Sequence, residues 1–370
     1  MRDAAREVRR QTTRGRLVLR DGTVFPGVSF GSPRPVAGEV VFTTGMVGYP
    51  EALTDPSYHG QILLFTYPSL GNYGVPRPRP AGGDGLPGRP WESDRIHASG
   101  VLCASYSETF SHHTAGASLG AWLGEETVPG LTGIDTRALT KKIRTHGALL
   151  GRIELDGHAA PEFVDPNERN LVGEVSSRQV TRFGRGGVPV VLIDCGRKSN
   201  QARMLVRMGA EVIVVPWDHD VRSLARQCAG VVLSNGPGDP QLAEATIATA
   251  RWLMRRKVPI LGICLGHQLL ALAAGARTYK MKFGHRAHNQ PCVEARGGRC
   301  YQTSQNHGYV VDGASLPRGW EAWFRNANDG SNEGIRHQSG PWRSVQFHPE
   351  AAPGPTGTEW ILEEFLEEIR

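Results

Sequence analysis

The sequence has no apolar run of about 18 residues, the length that a membrane-spanning helix needs. Its charged N-terminus lacks the apolar segment of a secretory signal. The six cysteines form no C-x-x-C pair, the spacing typical of zinc sites and dithiol redox motifs. We therefore expect no membrane partner, free thiols and a reducing compartment, either the cytoplasm or, as the alternative, the mitochondrial matrix.

Nucleotide-binding and metal-binding patterns are missing as well. The phosphate-binding motif Gly-x-x-x-x-Gly-Lys-Ser/Thr does not occur, and no spacing of His, Cys, Asp or Glu matches a metal site. We therefore expect this chain to hold no cofactor of its own, neither ATP nor a metal ion.

Positive charge is concentrated at one end of the chain. Residues 1–20 contain seven arginines and two acidic residues, whereas the whole chain has a net charge of +6. The other 350 residues therefore carry a net charge of only +1. Such a tail is more typical of a solvated extension than of a nucleic-acid-binding arm, so we expect no nucleic-acid partner. The remnant of an Arg-rich mitochondrial presequence is an alternative that Asp3 and Glu7 weaken.

Length and pattern divide the chain into two domains. A chain of 370 residues is long enough to form two cores. Short strand patterns near 17–25, 38–43 and 61–66 characterise the first part, in which Asp135 and Gly147 are placed to cap a helix. Residues rich in Pro and Gly at 71–95 are typical of an exposed loop. The predicted units are a basic tail (1–16), a smaller β-rich α+β domain (17–155), a linker (156–187) and an α/β domain (188–370).

The second domain has the pattern of a parallel sheet. Apolar strand-like runs alternate with helical patterns such as 241–257, which predicts a mostly parallel sheet with helices on both faces. Ligands of such sheets lie beyond the carboxyl ends of the strands, where Cys264 and residues 236–239 fall. The strand-like runs are 188–193, 211–215, 230–234 and 258–263.

Cys264 is the strongest candidate for a nucleophile. An apolar strand pattern ends at Gly262-Ile263, and an apolar helix pattern follows Gly266. This is the arrangement of a nucleophile elbow, whose tight turn requires glycine on both sides of the nucleophile. The N–H groups of the following helix favour a thiolate, and the amide of Leu265 would donate to an oxyanion. A small buried core cysteine, the alternative, does not explain two flanking glycines.

His348 and Glu350 are the predicted partners of this nucleophile. Residues 343–347 alternate like a strand that ends at His348. His348 can accept the thiol proton and later transfer it to a leaving amine. Glu350 can accept a hydrogen bond from the other ring nitrogen and thereby hold its tautomer. We predict a triad of Cys264, His348 and Glu350, and we interpret His307, which has no matched carboxylate, as a structural residue.

These motifs carry a resemblance to a known family. Residues 262–268 (Gly-Ile-Cys-Leu-Gly-His-Gln) and 346–350 (Gln-Phe-His-Pro-Glu) resemble the triad-type, class I glutamine amidotransferases. Further stretches narrow the resemblance to the small, glutaminase part of carbamoyl phosphate synthetase. The sequence of these stretches is most similar to that of the animal multifunctional forms. These stretches are 44–58, 133–137, 234–240 and 304–309.

The resemblance implies that L-glutamine is the substrate and assigns residues to it. Gly236 would be the second oxyanion donor, Gly238 would line the site, and Gln268 would hold the amino-acid end of glutamine. Gly45 stands where many relatives have serine, so a contact there would survive only if the backbone makes it. The residues assigned to glutamine are Gly45, Gly236, Gly238, Leu265, Gln268, Asn306, Gly308 and Tyr309.

The resemblance also implies a reaction and a partner. The chain would hydrolyse L-glutamine to L-glutamate and ammonia through a Cys264 thioester. A synthetase, either a large subunit or a covalently following domain, would use ATP and Mg²⁺ to convert the ammonia and bicarbonate into carbamoyl phosphate for arginine, urea or pyrimidine synthesis. The first domain would pack against that synthetase. Two alternatives are an amidotransferase with another acceptor, disfavoured by residues 46–49, and a catalytically silent regulatory domain, disfavoured by the complete triad.

Overall fold

The computed structural model describes residues 13–77 and 91–370. No helix within these ranges is long and apolar enough to cross a membrane. The helices are α1 (Tyr49–Thr54), α2 (Leu119–Glu125), α3 (Thr136–His146), α4 (Leu171–Val175), α5 (Ser199–Arg207), α6 (Glu244–Arg255), α7 (Leu265–Ala274) and α8 (Trp360–Glu368).

Strands form both domains. Those of the first domain are β1 (Arg14–Leu19), β2 (Val24–Gly31), β3 (Val36–Thr43), β4 (Gln61–Phe65), β5 (Ser69–Leu70), β6 (Val75–Pro76), β7 (Gly100–Leu102), β8 (Ser105–Tyr106), β9 (Ala115–Ala117), β10 (Pro129–Thr132) and β11 (Leu149–Leu155). Those that follow are β12 (Thr181–Phe183), β13 (Val188–Asp194), β14 (Ala210–Pro216), β15 (Gly230–Leu233), β16 (Ile260–Ile263), β17 (Thr278–Glu294), β18 (Cys300–Val311), β19 (Trp320–Asn326), β20 (Asn332–His337) and β21 (Trp342–Val345).

The first domain is a closed barrel in the order β1-β11-β3-β4-β7-β10-β2. Side chains of a strand alternate between its two faces, and β4 shows the result. Ile62 and Leu64 join one buried cluster together with Leu139 of α3, whereas Leu63 joins a second cluster with Leu123 of α2. The barrel therefore has one core inside and another beneath its covering helices, which confirms a β-rich α+β domain.

The predicted helix near residue 135 is confirmed as α3. The Asp135 side chain accepts a hydrogen bond of 2.9 Å from the N–H of Ala138, and Gly147 ends the helix with a φ of 96°. Both caps act through local chemistry: a carboxylate oxygen satisfies a free helical N–H, and glycine adopts a positive φ without strain.

Two sequence-based boundaries of the first domain differ from the structure. β1 begins at Arg14, inside the predicted tail, whose residues 1–12 lie outside the described residues. The predicted exposed loop is wrong at its end, because Glu92 is fully buried there. Residues 78–90 of that loop also lie outside the described residues. Composition indicates a loop, but it does not reveal that a loop end docks against another element.

The second domain contains a ten-stranded sheet in the order β12-β14-β13-β15-β16-β21-β20-β19-β17-β18. Its five central strands, β14, β13, β15, β16 and β21, are parallel to one another. The antiparallel strands β17 to β20 extend the sheet on one side. The parallel sheet that the sequence predicts is confirmed at the centre, and the antiparallel strands, which the sequence did not indicate, extend it and supply one wall of the site described below.

Helices cover both faces of the parallel centre. Val190 and Leu192 of β13 pack in one cluster with residues of α5 and α8. Val191 and Ile193 point to the opposite face and pack with residues of α6 and α7. Because alternate residues of the strand are apolar on both faces, this strand can be buried only between two layers of helices.

The predicted linker contains regular structure. α4 buries Leu171 and Val172, and Val172 joins the core of the second domain. β12 pairs antiparallel with β14, with Arg182 opposite Ile213. The final part of this segment therefore belongs to the sheet of the second domain, although the strand is too short to be recognised from its sequence pattern.

Candidate active site

Cys264 lies at a strained turn between β16 and α7, with a φ of 55°. The flanking glycines are required by close backbone approaches. A Cβ on Gly262 would lie 2.5 Å from the carbonyl oxygen of Gly266, and one on Gly266 would lie 2.1 Å from that of Leu233. The elbow therefore depends on bringing the start of α7 against the end of β15.

The Cys264 sulfur is almost fully buried and lies 3.6 Å from the carbonyl oxygen of Asn306. The N–H of Gly266 donates to the carbonyl oxygen of Ser234 at 3.0 Å, which holds the helix start against the neighbouring strand end. The first N–H groups of a helix have no acceptor within the helix. The Leu265 amide is consequently placed to donate to a group bound next to the sulfur.

His348 and Glu350 form a buried pair: His348 Nδ1 and Glu350 Oε1 are 2.7 Å apart. His348 Nε2 has no hydrogen-bond partner among the described residues. Burial by itself lowers the pKa of His348, but the Glu350 carboxylate, with Cys264, shifts the net pKa upward. Burial likewise opposes ionisation of Glu350, yet His348 and Lys198 hold its pKa below the ordinary value. The arrangement therefore stabilises the imidazolium that forms when His348 accepts a proton beside the sulfur.

Two residues outside the predicted site hold Glu350 in place. The buried Lys198 Nζ lies 3.7 Å from Glu350 Oε1 and donates to the carbonyl oxygen of Ala351. Gln201 Nε2 donates to Glu350 Oε1 at 3.2 Å. Lys198 immediately precedes α5 and Gln201 lies within it, so the start of this helix positions the triad carboxylate. The sequence feature that could have identified Lys198 and Gln201 is their position, as polar residues, shortly after the end of β13.

The first domain contacts the same helix start through Glu92. The Glu92 carboxylate accepts from the N–H of Asn200 at 2.9 Å and from Arg203 Nη1 at 3.2 Å. Burial raises the pKa of Glu92 to about 7, although Lys198 and Arg203 oppose the shift. A buried carboxyl at this interface links the first domain to the residues that hold Glu350.

A cleft in front of Cys264 collects most of the residues that the sequence assigned to glutamine. Two domains form it, because Ser57 of the first domain faces the elbow of the second. The predicted residues that line the cleft are Gly236, Gly238, Cys264, Leu265, Gln268, Asn306, Gly308 and Tyr309.

Gly45 is not among the residues that line this cleft. Its buried Cα faces His288, where an added Cβ would lie 2.5 Å from the ring. The hydroxyl that the first domain brings to the cleft belongs to Ser57 instead, which accepts from Asn235 Nδ2 at 2.9 Å. The assignment of Gly45 to glutamine stays a prediction, and Ser57, which the resemblance did not assign, lies in the same family-specific stretch, 44–58.

Asp55 ties this stretch to both walls of the cleft. Its carboxylate accepts from Asn306 Nδ2 at 3.1 Å and from Asn235 Nδ2 at 3.3 Å. The same carboxylate accepts from the N–H of Ser57 at 2.9 Å and so fixes the turn. The first domain is thus part of the site, in addition to any role as a docking surface.

Gly236 and Gly238 follow β15 on the opposite wall. An added Cβ on Gly236 would lie 2.0 Å from the carbonyl oxygen of Cys195, so only glycine fits. Gly238 has a φ of 84°, which glycine adopts without strain. These two positions let the backbone of the loop approach a ligand next to Cys264.

Gln268, Tyr309 and His307 are linked by hydrogen bonds at the floor of the cleft. Gln268 Nε2 donates to the carbonyl oxygen of Tyr309 at 2.8 Å. The two ring nitrogens of His307 lie 2.8 Å from the Tyr309 carbonyl oxygen and 3.1 Å from Gln305 Oε1. Burial lowers the pKa of His307 well below its ordinary value. His307 therefore stays neutral and donates one hydrogen bond, to one of these two oxygens, which is consistent with a structural role.

Charged residues that the sequence did not assign complete the outer wall. Glu39 of β3 and Lys280 of β17 form an ion pair of 2.6 Å, and both line the cleft together with Arg286. They come from distant parts of the chain, so no local pattern identifies them as neighbours.

One buried cluster has the composition of a metal site. Ligand atoms of His285, His307 and Glu333 lie within 4.8 Å of one another. The ring nitrogens of His285 already lie 3.3 Å from Glu333 and 2.9 Å from Asp329, and those of His307 are engaged as described above. Hydrogen bonding explains the cluster, and we assign no metal to it.

Comparisons with known proteins match both halves of the chain. The family model described as "Carbamoyl-phosphate synthase small chain, CPSase domain" matches residues 17–153. The model described as "Glutamine amidotransferase class-I" matches residues 191–368. The carbamoyl phosphate synthase arginine-specific small chain of Saccharomyces cerevisiae is 46% identical, over 96% of this chain and 89% of its own length.

Longer proteins contain a similar segment. The multifunctional protein pyr1-3 of Dictyostelium discoideum is 48% identical over 96% of this chain. The mitochondrial carbamoyl-phosphate synthase (ammonia) of Aquarana catesbeiana is 49% identical over 96% of this chain. This chain spans 17% of the length of the first and 24% of the length of the second.

Proposed function

Because the chain belongs to the carbamoyl-phosphate synthase small-chain family, we propose that it is the glutaminase component of a glutamine-dependent carbamoyl-phosphate synthase. It hydrolyses L-glutamine to L-glutamate and ammonia and delivers the ammonia to a synthetase. The observation that carries the proposal is the position of the Cys264 elbow, which opens into a cleft with the His348–Glu350 pair beside it.

The first half of the reaction forms a thioester. The Cys264 thiol transfers its proton to His348 Nε2, and the sulfur attacks the carboxamide carbon of glutamine. The N–H groups of Leu265 and Gly236 stabilise the resulting oxyanion. His348 then returns the proton to the departing nitrogen, ammonia leaves, and a γ-glutamyl thioester remains on Cys264.

The second half of the reaction releases glutamate. A water molecule transfers a proton to His348 as its oxygen attacks the thioester carbon. The same two N–H groups stabilise the second oxyanion, and the carbon–sulfur bond then breaks. Cys264 recovers a proton from His348 and L-glutamate departs, so one water is consumed for each ammonia released. Glu350 holds the His348 tautomer through both halves.

The fate of the ammonia is part of the proposal. The partner is a carbamoyl-phosphate synthetase, either a large subunit or a synthetase domain on the same polypeptide, and it uses ATP and Mg²⁺ with bicarbonate. The relatives include an arginine-specific small chain and a multifunctional pyr protein, which supports arginine or pyrimidine synthesis as the destination. We place the protein in the cytoplasm, with the mitochondrial matrix as the alternative.

Cys264→Ser tests the nucleophile. The variant is expected to abolish glutamine-dependent carbamoyl phosphate synthesis by the assembled enzyme and to spare ammonia-dependent synthesis, because a hydroxyl is far harder to ionise than a thiol. Cys300→Ser, which changes an exposed thiol, is the matched control and should behave as the unsubstituted protein does. Near-normal use of glutamine by Cys264→Ser would overturn the assignment.

A silent regulatory domain is the second candidate, favoured by the similarity to a relative whose name specifies ammonia. Labelling with an electrophilic glutamine analogue separates the two functions. A covalent adduct on Cys264, detected by mass spectrometry and absent from Cys264→Ser, supports the glutaminase. No adduct and no ammonia release, even with the synthetase bound, would favour the silent domain.

The synthetase is expected to activate the glutaminase. The Glu92 contact with the start of α5 connects the first domain to Glu350, so a partner docked on that domain can favour the competent arrangement of the triad. A coupling free energy of about 1–3 kcal/mol corresponds to about 5–150-fold in the population of that arrangement. Ammonia release should be measured for the chain alone, with synthetase, and with synthetase plus ATP and bicarbonate. Equal rates of ammonia release under all three conditions would show that the synthetase and the glutaminase are not coupled.

A further inference from the structure

Arg286 is a buried cation in the wall of the cleft. It lies on β17 directly opposite Asn306 of β18, whose carbonyl oxygen is 3.6 Å from the Cys264 sulfur. Directly opposed residues of antiparallel strands place their side chains on the same face of the sheet. The guanidinium therefore shares a face with the Asn306 side chain, and both residues line the cleft.

The guanidinium has no anionic partner among the described residues. Arg286 is only 5% exposed, Nη1 donates to the carbonyl oxygen of Phe283 at 2.8 Å, and Nε has no hydrogen-bond partner within the described ranges. Burial lowers the pKa of Arg286, and the Glu39 carboxylate opposes this shift. Because arginine stays protonated in proteins, the cleft holds a desolvated charge whose free-energy cost an incoming anion would offset.

Glu39 influences Arg286 without pairing with it, because other groups occupy its oxygens. The Glu39–Lys280 ion pair is neutral as a unit, so Arg286 is left without a counter-charge among the described side chains that line the cleft. The groups that donate to the Glu39 carboxylate are Lys280 Nζ at 2.6 Å, Gln61 Nε2 at 3.0 Å and Asn167 Nδ2 at 3.2 Å.

We propose that Arg286 binds the α-carboxylate of L-glutamine and is a specificity-determining residue of the cleft. The inference rests on the proposed glutaminase function and adds a recognition residue to it. The planar guanidinium fork matches a carboxylate, which can accept two parallel hydrogen bonds. The carboxamide at the other end of L-glutamine lies at Cys264, next to Asn306.

This role predicts an effect on binding and not on the chemical step. The α-carboxylate is present in glutamine, in the thioester and in glutamate, so Arg286 binds ground states and transition states alike. An interaction of that kind changes KM and leaves kcat nearly unchanged. The backbone carbonyl of Arg286, which accepts from the N–H of Thr44 at 3.1 Å, is retained in any substitution of the side chain.

The test compares two amides with the full chain. L-Glutamine carries the α-carboxylate, whereas 4-aminobutanamide has the same amide and amino groups without it. Arg286→Gln is expected to raise KM for L-glutamine about tenfold to a hundredfold, the factor for a hydrogen bond to a charged group, and to leave kcat/KM for 4-aminobutanamide unchanged. Arg286→Lys keeps the charge but lacks the planar fork, so its KM for L-glutamine should lie between that of the unsubstituted protein and that of Arg286→Gln.

A purely structural role would give a different pattern, namely an equal loss for both amides, and that result would overturn the inference. An unchanged KM for L-glutamine would overturn it as well. Alkylation of Cys264 by iodoacetamide, which has no carboxylate, reports an intact site. Because the Arg286 charge interacts with Cys264, the protein for this control is Arg286→Lys, which keeps the positive charge and should be alkylated at the unsubstituted rate. If Arg286→Gln does not fold, Arg286→Lys carries the comparison of the two amides.

The inference can be tested even if the protein hydrolyses 4-aminobutanamide slowly. If turnover of 4-aminobutanamide is too slow to measure, protection of Cys264 from iodoacetamide by each amide supplies the binding comparison. Failure of the unsubstituted protein to release ammonia from L-glutamine, alone or with its synthetase, would remove the proposed function. Normal glutaminase activity with no carboxylate dependence on Arg286 would remove only this inference.

Discussion

Gly266→Ala and Gly124→Ala are expected to change stability in opposite directions, although both glycines lie in helices, α7 and α2. Alanine is preferred over glycine within a helix by about 0.5–1 kcal/mol. A Cβ added at Gly124 would meet no atom within 4 Å. Gly124→Ala should therefore raise the free energy of unfolding by roughly that helix preference.

At Gly266 the same methyl group meets the backbone of the central sheet. The Cβ would lie 2.1 Å from the carbonyl oxygen of Leu233 and 2.6 Å from its carbonyl carbon. The position of a Cβ is fixed by the backbone, so no change of rotamer can relieve its contact with the Leu233 carbonyl group. α7 must therefore move away from β15. Overpacking of this kind costs about 1–3 kcal/mol, occasionally more, which exceeds the helix preference of alanine. We expect a net destabilisation of about 1–2 kcal/mol.

The same movement should reduce activity, because Cys264 and the Leu265 amide lie at the start of α7. A displacement of about 1 Å in an active site costs about 10²-fold in rate. Urea unfolding gives the change in stability, provided that the slope of the transition is unchanged, and ammonia release gives the rate. A Gly266→Ala protein with the stability and rate of the unsubstituted chain would refute the close-packing argument.

Three further predictions concern charged groups around the triad. His348→Asn is expected to lower kcat by about 10²–10⁴-fold and Glu350→Gln by less, because only His348 transfers the proton; rates of ammonia release in the opposite order would contradict these roles. Lys198→Met removes a cation that lowers the pKa of Glu350, so the acid limb of kcat/KM should move to higher pH, and an unmoved limb would count against this contact. The buried Glu92 has its pKa raised to about 7 from 4.5. In that interval the folded state binds more protons than the unfolded state, so stability should fall as the pH rises. Denaturation should show a flatter profile there for Glu92→Gln, and an unchanged profile would show that Glu92 does not titrate in this window.

Local patterns explain why much of the fold could be predicted. The elbow at Cys264 is a short local motif. It consists of an apolar strand, a glycine on each side of the cysteine, and an apolar helix, so it can be recognised from a few neighbouring residues. The caps Asp135 and Gly147 also act within one turn of α3. The short strand β12 escaped prediction because its three residues are too few to show an alternating pattern.

The site was predictable only where its residues belong to such motifs. The glycine-rich loop and the residues of β18 that the resemblance assigned to glutamine do line the cleft. Ser57, which the resemblance did not assign, also lines the cleft, because the turn that Asp55 fixes directs it there, while the assignment of Gly45 stays a prediction.

By itself the sequence determined the nucleophile elbow, the alternating strands and helices of the parallel centre, and a β-rich part followed by an α/β part, since each follows from local periodicity and turn chemistry. Only the tertiary structure decided which charges became buried. Lys198, Glu92 and Arg286 are residue types that are almost always solvated, and no local pattern distinguishes them from surface residues. Packing the barrel against the parallel sheet removes them from water, and desolvation then makes each one sensitive to its partners: Glu350, the start of α5, and the anion that we propose for Arg286.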